Sequence, residues 1–212
     1  VFDAREGAIF IGPHVHLGVH AVFHGPCAVL EKTRIADHAT IKANTVIGPH
    51  CRIGGEVGGT VFQGFSNKSH DGHLGDSWIG SWANLGASTV NSNLLNTYGE
   101  VMMKLTPGGP RIRSGRQFLG CVIGDHAKTA IGTRIMTGTA IGTGAMVATS
   151  TPPPTTTPAF AWLTDNGTRA YRFEKFINVA RAVMERRDIP LQAAVEARLR
   201  VLHAEATAEV GS

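Results

Sequence analysis

Between residues 58 and 76 the sequence crowds together side chains that can move protons and hold polar ligands: Asn67, Lys68, His70, Asp71, His73 and Asp76. An imidazole next to carboxylates is the usual makeup of a general base, because it titrates near neutrality and an acidic neighbour can orient the ring. His70 is the best candidate for that role, with Asp71 or Asp76 as its orienting group. The other histidines read differently. His14, His20, His38 and His50 recur at one position of a repeat, where side chains face water, and His20 and His38 are spaced to stack. That stacked pair is a place for adventitious metal. A zinc centre is not expected, since His70 and His73 lack the spacing to a third converging histidine, and no metal ligands are assigned. Cys27, Cys51 and Cys121 are odd in number and form no CxxC pair, so they read as small buried residues.

The elements that must position these groups follow from a period of six. Ile11, Leu17, Phe23, Val29, Ile35, Ile41, Ile47 and Ile53 succeed one another at six-residue steps, and a second column four residues on is small: Val15, Ala21, Cys27, Thr33, Ala39, Thr45, Cys51 and Val57. The pattern passes through Ile79 and Leu85 and returns as Ile123, Thr129, Ile135, Ile141 and Val147. A helix would carry such a period around its surface and bury nothing, whereas short strands meeting at corners point every sixth residue inward. Three strands make a triangular coil, and coils stack by parallel pairing. Glycine often follows the bulky residue, as at Gly18, Gly48 and Gly86, and is expected to ease the corners.

The reading is therefore an all-β solenoid over residues 1–150, with excursions at 58–76 and 91–118. TSTPPPTTTP then ends the stack and opens a Pro/Thr-rich linker, 151–168. C-terminal helices occupy 169–208. One buries Phe173, Phe176, Ile177, Ala180, Val183 and Met184; a second starts near Asp188 with Pro190 in its first turn and buries Leu191, Val195, Leu199 and Leu202. They are expected to pack on the coils or on a neighbouring subunit.

The formal charge of +4 is spread through the repeats and the tail, which argues against nucleic acid, and no apolar run is long enough to span a bilayer. A cytoplasmic protein without membrane contact is expected. The repeats begin within a few residues of Val1, with nothing to cover the first coil, which points to a longer parent protein.

The segment SNKSHDGHLGDSWIGSWANLGASTVNSN, residues 66–93, resembles the acetyltransferase half of the bifunctional enzymes that acetylate glucosamine-1-phosphate and couple it to UTP. RIRSGRQFLGCVIGDHAKTAIGTRI, residues 111–135, resembles the archaeal branch of the same sugar-1-phosphate nucleotidyltransferases. The resemblance implies a left-handed parallel β-helix, a hand that breaks the usual crossover rule. It implies a homotrimer with sites shared between chains, and N-acetylation of an amino-sugar phosphate with acetyl-CoA as co-substrate. His70 falls on the family's catalytic histidine, and Asn84 and Asn93 fall on substrate-holding asparagines. His73 replaces a substrate-holding tyrosine, and Gly58 stands where a lysine is expected. The lysines expected after Asn93 are replaced, Lys104 being the nearest; Lys68 and Lys104 complete the candidate substrate-binding set. For acetyl-CoA the resemblance points to the backbones of Ala130 and Thr149 and to the cations of Lys128 and Arg134. No nucleotidyltransferase signature is present; such a segment would precede Val1. The alternative expectation is a catalytically silent trimerisation or ligand-sensing domain of a sugar nucleotidyltransferase.

Overall fold

The computed structural model describes residues 1–210, which form a parallel three-sided solenoid with two helices against it. One side stacks eight strands: Ile9–Ile11, Cys27–Val29, Thr45–Ile47, Val61–Phe62, Trp78–Ile79, Cys121–Ile123, Thr139–Ile141 and Thr156–Thr157. A second side stacks Phe2–Asp3, Val22–His24, Thr40–Ile41, Glu56–Gly58 and His73–Gly75. The third runs from His16–Leu17 through Arg34–Ile35 and Arg52–Ile53 to Asn67–Lys68, then continues by bridges from Asn67 to Asn84 and from Asn84 to Lys128. This is the expected β-helix with a helical tail.

The six-residue period is the register. Phe23 pairs with Ile41 and Ile41 with Val57; Val29 pairs with Ile47; Ile35 pairs with Ile53. All are buried and form one continuous core. The small column also points inward, because residues two apart on a strand share a face: Cys27 and Val29 are both buried while Ala28 between them is less so. Each fully buried isoleucine contributes roughly 1.5–3 kcal/mol.

Two expectations about the course of the stack are corrected. Residues 58–76 are no excursion: Val61–Phe62, Asn67–Lys68 and His73–Gly75 are strands in register. The six-step pattern fails there because the coils are shorter, residue 47 pairing with 62 and 62 with 79, and because a lysine occupies an inward place. Only the second interruption leaves the stack. Trp78 pairs with Val122 and Val90–Asn91 with Arg134–Ile135, while the chain after Asn91 forms an antiparallel hairpin of Met102–Met103 with Ile112–Arg113. The stretch 151–168 is likewise no linker. Thr156–Thr157 pairs with Ala140–Ile141, and Ala161–Thr164 pairs with Met146–Ala148, so another coil is completed. Pro152, Pro153 and Pro154 fall on a side of that coil where no strand pairs, so no ladder donor is needed.

The glycines after the bulky residues serve close approach rather than corner geometry. A Cβ on Gly48 would lie 2.2 Å from Gln63 O, and one on Gly86 would lie 2.4 Å from Ala130 O. The corners are turned by other residues in the left-handed region, His14, His20, His38 and His50 among them, and His20 and His38 do stack, with centroids 5.1 Å apart.

Helix α1, Phe173–Glu185, buries Phe173, Phe176, Ile177, Ala180 and Met184 as its pattern predicts. Its thirteen residues span about 20 Å. That matches four coil spacings of about 4.8 Å, and the helix lies along a corner ladder of stacked rings, His50, Phe65, Trp82 and His126, meeting His126 edge-on through Phe176. The second helix, α2, begins at Ala193, later than expected, because Asp188 takes φ +57 and Ile189 N–H closes back on Met184 O, ending α1 rather than capping a new helix. Leu199 is buried as expected; Val195 faces out.

His126 is buried, and its Nδ1 has no partner among the described residues. Burial, with the charge of Lys128, holds its pKa down at about 4. Between pH 4 and the ordinary histidine range the unfolded chain therefore binds a proton that the folded chain refuses, so stability falls as pH drops through that window. Melting temperatures of wild type and His126→Phe between pH 7 and 4 should show a shallower acid loss in the variant; equal slopes would count against this source.

Candidate functional site

The polar cluster is assembled by coil stacking. Glu56 and His73 are register partners on the outer face of the second side, and Glu56 Oε1 lies 3.1 Å from His73 Nδ1. Lys42, one coil earlier, donates to the same carboxylate. Its ammonium, with help from His73, holds the Glu56 carboxyl below its usual range. Gly75 keeps the space beside them open: a Cβ there would sit 2.8 Å from His73 Nε2 and 2.6 Å from Asn93 Nδ2. Asn93 Nδ2 in turn donates to Asp76 Oδ2 at 2.6 Å. Lys42, Glu56, His73, Asp76 and Asn93 thus form one polar face.

His70 sits on the adjoining corner, exposed. Neither candidate aspartate orients it: Asp71 accepts from Ser88 Oγ and Asp76 from Asn93. Of His70 and His73, the imidazole that a carboxylate does hold is His73. Sequence reasoning passed over Glu56 and Lys42, although residues 56 and 73 are separated by the same 17-residue step that relates 62 to 79.

Lys68 is a correction. It occupies the inward column above Ile53, 1% exposed, and its Nζ donates to the carbonyls of Gly54, His70 and Asp71. Burial lowers its pKa to about 8. It fastens the backbone beneath His70 and does not present its ammonium to a ligand. Asn84 lies on the third side, away from His73, where Asn67 Nδ2 donates to its Oδ1 at 3.2 Å.

Of the residues proposed to meet acetyl-CoA, Ala130 has both backbone groups engaged, its N–H with Val147 O and its carbonyl with Thr133 Oγ1. Arg134 and Thr149 come together at the following corner, where Arg134 Nη2 reaches Ser150 O and Thr149 Oγ1 bonds Thr151 O. Lys128 is half-buried beside Asn84, with burial bringing its pKa down to about 8. Lys104 and Arg111 of the hairpin border a groove of about 680 Å³ walled by Met102, Met103 and Met136.

Among the described residues no three His, Cys, Asp or Glu side chains converge as a metal site, and no helix is long and apolar enough to cross a membrane. The three cysteines are buried and free.

Fold and cluster together define a hexapeptide-repeat β-solenoid with a histidine–carboxylate face. The chain matches no established family model. It is similar to the bifunctional protein GlmU of Methanococcus vannielii, 34% identical over 102 residues that make up 47% of this chain and 24% of that protein. It is also similar to the bifunctional sugar-1-phosphate nucleotidylyltransferase/acetyltransferase of Sulfurisphaera tokodaii, 35% identical over 100 residues, 46% of this chain and 24% of that one. GlmU of Trichodesmium erythraeum is 34% identical over 89 residues, 41% and 18% of the two chains. The resemblance read from the motifs is matched by these relatives, and the chain spans about a quarter of their length or less.

Proposed function

We propose that this solenoid is an acetyl-CoA-dependent N-acetyltransferase acting on an amino-sugar phosphate resembling glucosamine-1-phosphate. The observation that carries the reading is the similarity, over about half the chain, to a protein named as a bifunctional sugar-1-phosphate nucleotidylyltransferase/acetyltransferase and to proteins named GlmU, in a chain whose coils gather His70, His73, Glu56 and Asn93 at one edge. In the reaction the acceptor nitrogen bonds to the thioester carbonyl carbon and its proton passes to a histidine base. The C–S bond then breaks, and the CoA thiolate leaves, taking up a proton to become the thiol. His70, open to solvent, is assigned as that base. Its neighbour His73, with Asn93, holds the acceptor.

Gly58, where the resemblance expects a phosphate-gripping lysine, lies beneath the Lys42 side chain: a Cβ on Gly58 would sit 3.1 Å from Lys42 Cβ. The aliphatic stem of Lys42 from the preceding coil thus occupies that space, while its ammonium is engaged by Glu56. Arg134 and Thr149 are proposed to meet acetyl-CoA, with Lys128 as a further cation. The pairing of His73 with Glu56 favours a second assignment, His73 as base with Glu56 orienting it. Titrating the chain with acetyl-CoA by calorimetry and following thiol release with glucosamine-1-phosphate tests the function. Binding without transfer to any amino-sugar phosphate would leave the ligand-sensing alternative in its place.

A homotrimer belongs to the same proposal. Along the eight-stranded side the outward register column reads Phe10, Ala28, Val46, Val61, Trp78, Val122 and Ala140, an apolar stripe in which Phe10, Val46 and Trp78 remain exposed. A flat apolar side of this kind is suited to a partner copy. Light scattering is expected to give about three times the 22.4 kDa chain mass; a monomer at micromolar concentration would overturn this.

A further inference from the structure

Five cations converge where the turn after α1 meets the third side of the solenoid. Lys32, Arg34, Arg52, Arg186 and Arg187 border a depression of about 470 Å³, with His50 and Asp188 on its wall. Arg34 and Arg52 are register partners in the parallel ladder and both are exposed. Their backbones are therefore about 4.8 Å apart, and like charges directly opposite one another destabilise a sheet. Arg187 reaches them from the far end of the chain. Its Nη1 donates to His50 O at 2.8 Å and its Nη2 to Asn67 Oδ1 at 2.7 Å, both neutral acceptors, so its charge is held in place without being neutralised. Burial first, then the neighbouring charge of Arg52, lowers its pKa; Cys51 acts the other way, and Arg186 and Arg34 add to the lowering.

Elsewhere on the molecule Arg5, Arg113, Arg181 and Arg200 each meet a carboxylate. Among the described residues none of the five cations here has a carboxylate partner within ion-pair distance, Asp188 included. Repulsion left uncompensated on a folded surface is best explained by an anion that offsets it when bound.

We propose that this depression binds a small molecule carrying two adjacent phosphoryl groups. Arg34 and Arg52, one coil apart, present two planar forks side by side, each able to take one phosphoryl group through paired hydrogen bonds, and Arg187 is fixed beside them. A single phosphate would leave most of the positive charge unmatched. The site is separate from the histidine–carboxylate face, which lies on a different side of the solenoid, and it does not depend on acetyl transfer.

Calorimetry of the full chain with inorganic pyrophosphate tests it, inorganic phosphate serving as comparison. Pyrophosphate is expected to bind once per chain and at least about tenfold more tightly than phosphate. Arg34→Gln and Arg52→Gln should each weaken it by about 10- to 100-fold, the worth of charge-assisted hydrogen bonds, while Arg116→Gln on the hairpin should bind as wild type does. Without ligand, Arg34→Gln and Arg52→Gln should melt at or above the wild-type temperature, since each removes a like-charge contact. Three results would overturn the site: no pyrophosphate binding at millimolar concentration, wild-type binding by the doubly substituted chain, or a lowered ligand-free melting temperature in both single variants, which would make these arginines structural. Thiol release from acetyl-CoA should be unchanged in either variant, so failure here and failure of the acetyltransferase assignment are read separately.

Discussion

His70→Ala is expected to lower the rate of amino-sugar acetylation by roughly 10²- to 10⁴-fold, the usual worth of a positioned general base, while leaving the fold and acetyl-CoA affinity near wild type. The side chain is exposed and fills no core volume, and the backbone below it is held by Lys68 Nζ from within the coil. Only proton transfer is removed. Because an ammonium cannot attack, the wild-type rate should fall on the acid side of neutrality, and the variant should recover part of its deficit at higher pH, where free amine accumulates. His73→Ala should act mainly through the acceptor's KM. Measured together, the two variants decide between the two histidines. If His73→Ala carries the large kcat loss and His70→Ala is silent, the base is the imidazole held by Glu56.

Ile41→Asp is expected to destabilise the chain by at least about 4 kcal/mol, the range reached when an unpaired carboxylate is forced into a core. Ile41 is 0% exposed and has an inward register partner above and below, Phe23 and Val57. No cation reaches this column in the way that Lys68 reaches the carbonyls at its corner, so the charge would be neither solvated nor paired. Denaturant unfolding followed by circular dichroism measures the loss, and an unchanged midpoint would show that the inward assignment is wrong. Thr40→Asn, one residue earlier on the outer face, is the matched control and should cost little; a neutral side chain is used there because Thr40 is the register partner of Glu56.

The solenoid was legible because its signal is repeated: a column of isoleucines at constant spacing survives any single irregularity. What was lost were the places where the count changes. Coils of 15 and 17 residues break the six-step between Ile53 and Phe62 and again between Leu74 and Ile79, so Phe62, Lys68 and Leu74, themselves six apart, fall out of phase with the columns before and after them. A lysine in an inward column contradicts every hydropathy rule, and only the carbonyls around its ammonium make it tolerable. The final coil was hidden by its prolines, which mark a side without pairing rather than the end of the stack.

The site was legible in part for the same reason. The motif pointed to His70, His73 and Asn93, which the coils bring to one edge, but the partners of a given side chain lie one coil away, and that distance is set by local coil length. Glu56 therefore escaped notice as the partner of His73, and the aspartates next to His70 in sequence proved to serve Ser88 and Asn93 instead. Arg34 and Arg52 kept the regular 18-residue spacing and could have been paired by counting; Arg187, contributed by the turn after α1, could not.

The register by which Ile9–Ile11, Cys27–Val29 and Thr45–Ile47 lie directly over one another makes length a quantised property of this molecule. Removing residues 27–44 would leave the first of these strands facing the third with its inward positions still matched, and the protein would be shorter by one coil and otherwise of the same cross-section. Removing a single residue from within one of these strands would turn the rest of that strand inside out, whereas the coils of 15 and 17 residues show that a corner absorbs a change in count. Such a chain can therefore grow or shrink by whole storeys without redesign of the rest, and the tolerance holds only where no ligand straddles the joint. The Arg34–Arg52 pair and the Glu56–His73 pair each span such a joint, so the coils that carry them are the ones whose number is fixed.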